Sequence, residues 1–262
     1  MSSFCIAQIP AKPRAPKMRP RYESVTSRNL PPTFISVDSL VNAPTIEVGR
    51  DVLQASEKWL ASEYAPQLAM TIAQIIADRA GQPISNIVCL GIGNRRARDI
   101  DQFVLLAQIA TQLSVAQPSI LDNIVAQDPN MSPEMKGLFQ IHGCRVVEDP
   151  EAFGFVGPDT FLFAPFLPIF AVLRGLRNRG CTDFGMYIGN DLKRMVGGPE
   201  KNSHRFGVHE SDQASFEQIA LSIQDETVCK RSMVPCDTPV GLRGTFRGLR
   251  DLEIWWRPVE LG

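Results

Sequence analysis

The chain predicts an α/β fold of the Rossmann-like kind: a mostly parallel sheet with helices on both faces and an antiparallel C-terminal strand at its edge. Three observations carry this. Residues 87–94 run Ile-Val-Cys-Leu and then break at Gly91 and Gly93, spaced one apart, before a helical pattern begins. Strand, helix and strand patterns then alternate from residue 87 to residue 190, the signature of parallel strands joined by helical crossovers. Finally, Leu252, Ile254 and Trp256 alternate with Glu253 and Trp255 as a last, differently patterned strand.

Taken in order, residues 54–80 read as a helix. Trp59, Leu60, Tyr64, Leu68, Ile72, Ile75 and Ile76 recur at three- and four-residue steps, with Ser56 as a candidate N-cap. Pro66 should kink or split it, and Gly81 and Pro83 end it. The first strand, 87–90, meets the two-glycine turn. Residues without a Cβ let the chain turn tightly and leave amide N–H groups facing an anion at the next helix N-terminus. The full dinucleotide fingerprint has a third glycine where Arg96 stands, so the turn marks a Rossmann-like first strand without naming a cofactor. A helix over 99–114 follows, with Ile100, Phe103, Val104, Ala107 and Leu113 on one face. Strand 124–127 ends at Asp128-Pro129. A helix over 132–142 has Ser132 as cap, Pro133 first and Gly143 at its end; His142 beside that glycine suits the negative end of the helix dipole. Strands at 145–147, 160–164 and 184–188 enclose a further helix at 168–179. Residues 193–211 read as a surface loop and 212–224 as a helix.

Composition bounds the function. The chain has 262 residues, 44% of them hydrophobic, enough for one sizeable domain. Lys and Arg total 27 against 28 Asp and Glu, a net charge of −1, which argues against a general nucleic-acid binder. Six cysteines lack paired close spacing and read as reduced thiols of a cytoplasmic or nuclear protein. No apolar run approaches the roughly 20 residues of a membrane helix. Residues 1–33 alternate prolines with Lys12, Arg14, Lys17, Arg19, Arg21 and Arg28, a composition that cannot bury a core and predicts a flexible basic tail. The domain proper is then 34–262, with its core at 84–192 and an extension at 193–262.

In a parallel sheet, ligands sit beyond the carboxyl ends of the strands, where strand order reverses. The polar residues predicted there are Asn94 and Arg95, Asp128, and Asn190 with Asp191. With Gly91, Gly93 and Gln102 they form the candidate cofactor-binding set. An acid after the second strand is where doubly wound nucleotide and S-adenosylmethionine binders place one for ribose hydroxyls. The plain alternative is that Asp128 caps a turn and Asn190 takes a left-handed position; for Gln102 it is a bond to a neighbouring loop backbone. Arg95, Arg96 and Arg98 crowd a helix N-terminus, where cations are disfavoured unless an anionic partner is present. His204, His209, Cys229 and Cys236 lack the close spacing of a structural zinc site, and no metal site is expected. No nucleophile elbow, Walker loop or HExxH is present.

One ordered series identifies a family. Gly91-Ile92-Gly93-Asn94 is followed by Gln102, by Gln127-Asp128-Pro129 with Glu134, by Gly143 to Val147, by Thr160 to Pro165, and by Ile188-Gly189-Asn190-Asp191. This series resembles the domain of the sensitivity to red light reduced family, named from a plant protein linked to light signalling and the circadian clock, and looks most like its fungal branch. The resemblance implies a regulatory protein, acting in signalling or gene expression in the cytoplasm or nucleus. Its partners would be an anionic or nucleotide-like small molecule in the cleft and a protein held by the tail or by 193–250. The alternative it leaves open is an enzyme or sensor binding S-adenosylmethionine, a nicotinamide or a similar cofactor. Many members carry Pro-His-Cys after the fourth strand, where this chain has Pro165-Phe166-Leu167. A haem, metal or redox role resting on that pair is therefore not expected here.

Removal of residues 1–33 should leave a folded, soluble fragment, and limited proteolysis should stop near that boundary. A truncated chain that loses its cooperative melt would show the tail to be part of the fold.

Overall fold

The computed structural model describes residues 46–93, 97–165, 167–181, 183–190, 230–234, 249 and 252–259. The expected tail, loop 193–211 and helix 212–224 lie outside them. Seven strands form one sheet: β1 (Asn86–Leu90), β2 (Ile124–Gln127), β3 (Arg145–Val146), β4 (Thr160–Ala164), β5 (Met186–Asn190), β6 (Lys230–Met233) and β7 (Leu252–Trp256). Their spatial order is β3-β2-β1-β4-β5-β7-β6. The first five pair in parallel, and β7 is antiparallel to both β5 and β6. The fold is thus the expected Rossmann-like α/β sheet. Its antiparallel strand sits one place in from the edge, because Lys230–Met233 pairs on β7's outer side.

Helices cover both faces. Strand side chains alternate, so Ile87, Cys89, Phe161, Phe163 and Ile188 meet α1 (Ile46–Leu60), α2 (Tyr64–Asp78), α3 (Ala97–Leu113) and α4 (Pro133–Ile141) on one face. Val88, Leu90, Leu162, Ala164 and Tyr187 meet α5 (Ile169–Asn178) and the 3₁₀ turn Glu151–Phe155 on the other. Strands buried on both sides explain the near-continuous apolar runs.

Local chemistry sets the ends. Ser132 caps α4, its hydroxyl accepting from the Met135 N–H at 3.2 Å with Pro133 at the first turn, as the sequence indicates. The first helical stretch is split as Pro66 suggested, but at residues 61–63. Pro66 itself lies in the first turn of α2, where a missing N–H costs nothing. Ser56 is correspondingly inside α1 and buried, not a cap. His142 also departs from expectation. Burial pushes its imidazole towards the neutral form, and its Nδ1–H donates to the Leu138 carbonyl at 2.8 Å. It satisfies an end carbonyl as a neutral ring rather than complementing the dipole as a cation. Strand β5 runs to Asn190, two residues beyond the sequence reading. The reason lies in its pairing: Gly189 is in register with Ala164 on one side and Glu253 on the other. The Tyr187 ring lies over Gly189, where a Cβ would collide with it.

One buried cation joins the amino edge of this sheet. Arg79, at the C-cap of α2, is 2% exposed. Its guanidinium donates to the carbonyls of Pro158 (2.8 Å), Arg257 (2.6 Å) and Gly185 (3.4 Å). Those residues precede β4, follow β7 and precede β5. Beside it the Trp256 indole donates to Asp78 Oδ2 at 2.8 Å, and the Val259 N–H to the Asp78 carbonyl at 2.8 Å.

Arg79→Met keeps the apolar stem and strands three carbonyls. It should cost about 3 kcal/mol, seen as a Tm lower by roughly 6–12 °C in a calorimetric scan. A change below about 1 kcal/mol, the range of surface substitutions, would show the clamp to be dispensable.

Candidate functional site

The sheet reverses direction of winding between β1 and β4, which are neighbours while β2 lies on the other side of β1. A crevice opens at such a switch point, outside the strand carboxyl ends. The β1 ladder is prolonged by the Gly91 N–H, which donates to the Gln127 carbonyl at 3.0 Å. Gly91 then takes φ +78°, a conformation that side-chain-bearing residues rarely adopt, which is why glycine stands there. Its open side faces Leu167, 3.5 Å from where a Cβ would be.

Gly93 is glycine for a different reason. A Cβ there would lie 2.6 Å from Asp128 Cγ and 2.9 Å from the Met131 Cα, closer than atoms can pack. The Ser132 N–H donates to the Gly93 carbonyl at 2.6 Å, so the turn after β1 is strapped to the loop after β2.

Asp128 stands at the centre of this contact. Its Oδ1 accepts from the Asn130 N–H at 2.7 Å, so the turn-capping role is real. Oδ2 faces Gly93. Burial holds its carboxyl above the usual carboxylate range; the Asn130 N–H opposes this, and the neighbouring Asp99 charge adds to it.

Asn190 does not take a left-handed turn. It is the last residue of β5, paired with Leu252, and its Nδ2 donates to the Leu167 carbonyl at 3.1 Å. Asn190, Leu167 and Gly91 therefore form one chain of contacts across β5, β4 and β1, and Gly93 and Asp128 another across β1 and β2. Gln102 is fully buried in α3, one helical step from Asp99. Asn94, Arg95 and Asp191 lie outside the described residues, as do Arg96, Phe166, His204, His209, Cys229 and Cys236.

Two residues have roles that the sequence reading did not assign. Asp99, in the first turn of α3, is 1% exposed and ion-paired to Arg98 at 3.3 Å. An acid in a first helical turn was the available signal, since the dipole favours one there; it also gives Arg98 an internal anion. Gln127 uses both ends of its amide, donating to Asp149 Oδ1 at 2.6 Å and accepting from the Ala152 N–H at 2.8 Å. It moors the segment that leads from β3 into the 3₁₀ turn, below the second strand end. Cys89 and Cys144 are buried free thiols, their ionisation pushed strongly upwards by desolvation, so they pack as small apolar side chains. Among the described residues no group of three or more His, Cys, Asp or Glu side chains is arranged to hold a metal ion. No described helix is long and apolar enough to cross a membrane.

A Rossmann-like sheet with a glycine turn and a strand-end acid defines a broad class of α/β proteins. Within it, the SRR1 domain model matches residues 53–233, and the chain belongs to that family. None of the curated proteins matches by sequence. Among solved structures, the chain is similar to cofactor-bound Rv0187 from MTB (13% identity, 88% of this chain and 99% of that one, TM-score 0.37). It is also similar to two proteins provisionally assigned as methyltransferases. One is a caffeoyl-CoA O-methyltransferase from Staphylococcus aureus (12%, 73% and 83%, 0.36); the other is an O-methyltransferase from Klebsiella pneumoniae (13%, 85% and 96%, 0.36). Likeness at that level says nothing about activity.

Two substitutions separate the roles of the turn. Gly93→Val should destabilise by about 1–3 kcal/mol, because the added atoms meet backbone at Met131. Asp128→Asn should do the reverse at neutral pH. Its folded pKa is raised, so between the ordinary aspartate value and the raised one the folded chain holds more protons than the unfolded. Stability therefore falls as pH rises through that window and stays lower above it. The variant should have a urea midpoint at or above the wild-type value at pH 7, with the difference vanishing at about pH 3, below the ordinary aspartate value. A variant clearly less stable at pH 7 would contradict this.

Proposed function

We propose that this SRR1-domain protein is a regulatory protein whose core responds to a ribose-bearing ligand, such as S-adenosylmethionine, a nicotinamide dinucleotide or a nucleotide, bound at the strand-end crevice. The observation that carries the ligand half is the Asp128 carboxylate. It is half-buried at the end of the second strand, held by Asn130 through Oδ1, with Oδ2 turned to the glycine turn. Keeping a charge there works against burial and against Asp99. Two hydroxyl donors on adjacent ribose carbons would supply the hydrogen bonds that favour the ionised form. Gly93 brings the turn against the loop after β2, and a sugar-phosphate or sugar-sulfonium ligand would lie along it with the α3 N-terminus facing its polar group.

The regulatory half rests on family membership and on what the resemblance implies: action in signalling or gene expression, in the cytoplasm or nucleus, with the basic tail and the 193–250 segment as protein-binding surfaces. Its fungal and clock-related shading belongs to the same reading. Catalytic use of the crevice is the rival account, and it is distinguished by turnover of the bound ligand in the purified protein.

Thermal-shift measurements with S-adenosylmethionine, NAD, ATP and their 2′-deoxyribose counterparts test the ligand half. A true ligand at 100-fold its Kd should stabilise by about 2.7 kcal/mol. The ribose forms should outperform the deoxy forms, and Asp128→Asn should abolish that preference while remaining folded. If none of them shifts the melt, or if the deoxy forms do equally well, the carboxylate is only a turn cap.

A further inference from the structure

A phosphate at a glycine turn is held by backbone N–H groups that no other acceptor has taken, and by the positive end of the helix that follows. The described residues around this turn leave little of either for a ligand. The Gly91 N–H donates to the Gln127 carbonyl at 3.0 Å. Across the crevice, the Asn130 N–H donates to Asp128 Oδ1 (2.7 Å), the Met131 N–H to the Asp128 carbonyl (3.1 Å) and the Ser132 N–H to the Gly93 carbonyl (2.6 Å). These four amides tie the turn to β2 and the loop after it, and none of them is left for a ligand oxygen.

The helix end is taken as well. Asp99 stands in the first turn of α3, 1% exposed, where its own carboxylate draws on the helix dipole. Arg98 pairs with it at 3.3 Å, but that arginine side chain is 44% exposed, so water screens its charge far more than that of the buried acid. The Asp99 charge reaches Asp128, half-buried at the end of β2. A phosphate set beside them would be a third anion where little water remains to screen it, whereas a cation there would be drawn by both acids.

On the reading of Asp128 as the ribose acceptor, we propose that the crevice takes a ribose ligand bearing a sulfonium at the turn and rejects phosphate there, with Asp99 as the residue that sets this preference. Of the ligands that a strand-end acid suits, this selects S-adenosylmethionine over nucleotides and dinucleotides.

Isothermal titration of the full chain at neutral pH tests this with five probes: adenosine, 2′-deoxyadenosine, adenosine 5′-monophosphate, S-adenosylmethionine and its uncharged thioether, S-adenosylhomocysteine. Adenosine should bind at least about tenfold tighter than its monophosphate, and the sulfonium at least about threefold tighter than the thioether. Asp99→Asn should shrink the first ratio at least about threefold while keeping the preference for adenosine over its deoxy form, which belongs to Asp128. A residue that only braced the helix would weaken every probe alike and leave the ratios unmoved. A monophosphate that binds as well as adenosine, as it would if Arg95 and Arg96 held it, overturns the inference, as does a thioether that binds as well as the sulfonium. In either case a preference for adenosine over 2′-deoxyadenosine leaves the reading of Asp128 standing. No such preference, or no binding of either nucleoside, removes both together. Ratios unchanged in Asp99→Asn overturn the role of Asp99; should that variant not fold, the ranking of the probes on the wild-type chain decides the inference.

Discussion

A guanidinium taken out of water loses hydration that only close acceptors can replace. Arg79 meets that cost with carbonyls from three separate places in the chain, before β4, before β5 and after β7. Strand pairing alone leaves register open to slippage, and a slip of one residue turns every side chain to the other face. The clamp removes that freedom at the amino edge. Each strand is only two to five residues long, so fixing where β4 and β5 begin and where the antiparallel β7 ends also fixes their opposite ends. The placement of Pro165 and Asn190 at the far edge follows from a contact made on the near one.

The crevice at that far edge is built by crowding rather than by open space. Gly91 is needed for its backbone angle and Gly93 for its lack of a side chain. Asn190 spends its amide on the Leu167 carbonyl, holding the loop after β4 against Gly91. Asp128 is the one member whose charge is kept against its surroundings, by burial first and Asp99 besides. Holding that charge costs the folded state stability, a cost that a bound hydrogen-bond donor would offset.

Much of this was legible beforehand, and the failures have physical causes. The succession of strands and helices along the chain and the two-glycine turn follow from periodicity and from residues that lack a Cβ, both local properties. Ser132 and Pro133 announced their helix start because capping is settled within four residues. The split at residues 61–63 was misplaced because proline is harmless in a first helical turn. The end of β5 was set too early because Gly189 looks like a terminator, while its pairing partners, Ala164 and Glu253, are distant in sequence. Asp99 and Arg79 were missed for the same reason: each is an ordinary charged residue at a helix end until tertiary packing buries it. Asp128 was found, yet the close approach of Gly93 that gives it its setting is not written in any spacing.

The central claim is that Asp128 accepts ribose hydroxyls in this crevice. It is tested most directly by following the side-chain carboxyl carbon of Asp128 by NMR across pH, with and without saturating adenosine, the ribose unit common to S-adenosylmethionine, NAD and ATP. Alone, the carboxyl should titrate above the usual aspartate range; with adenosine bound, donation from the ribose hydroxyls should draw its midpoint down. A titration curve that adenosine leaves unmoved would contradict the account.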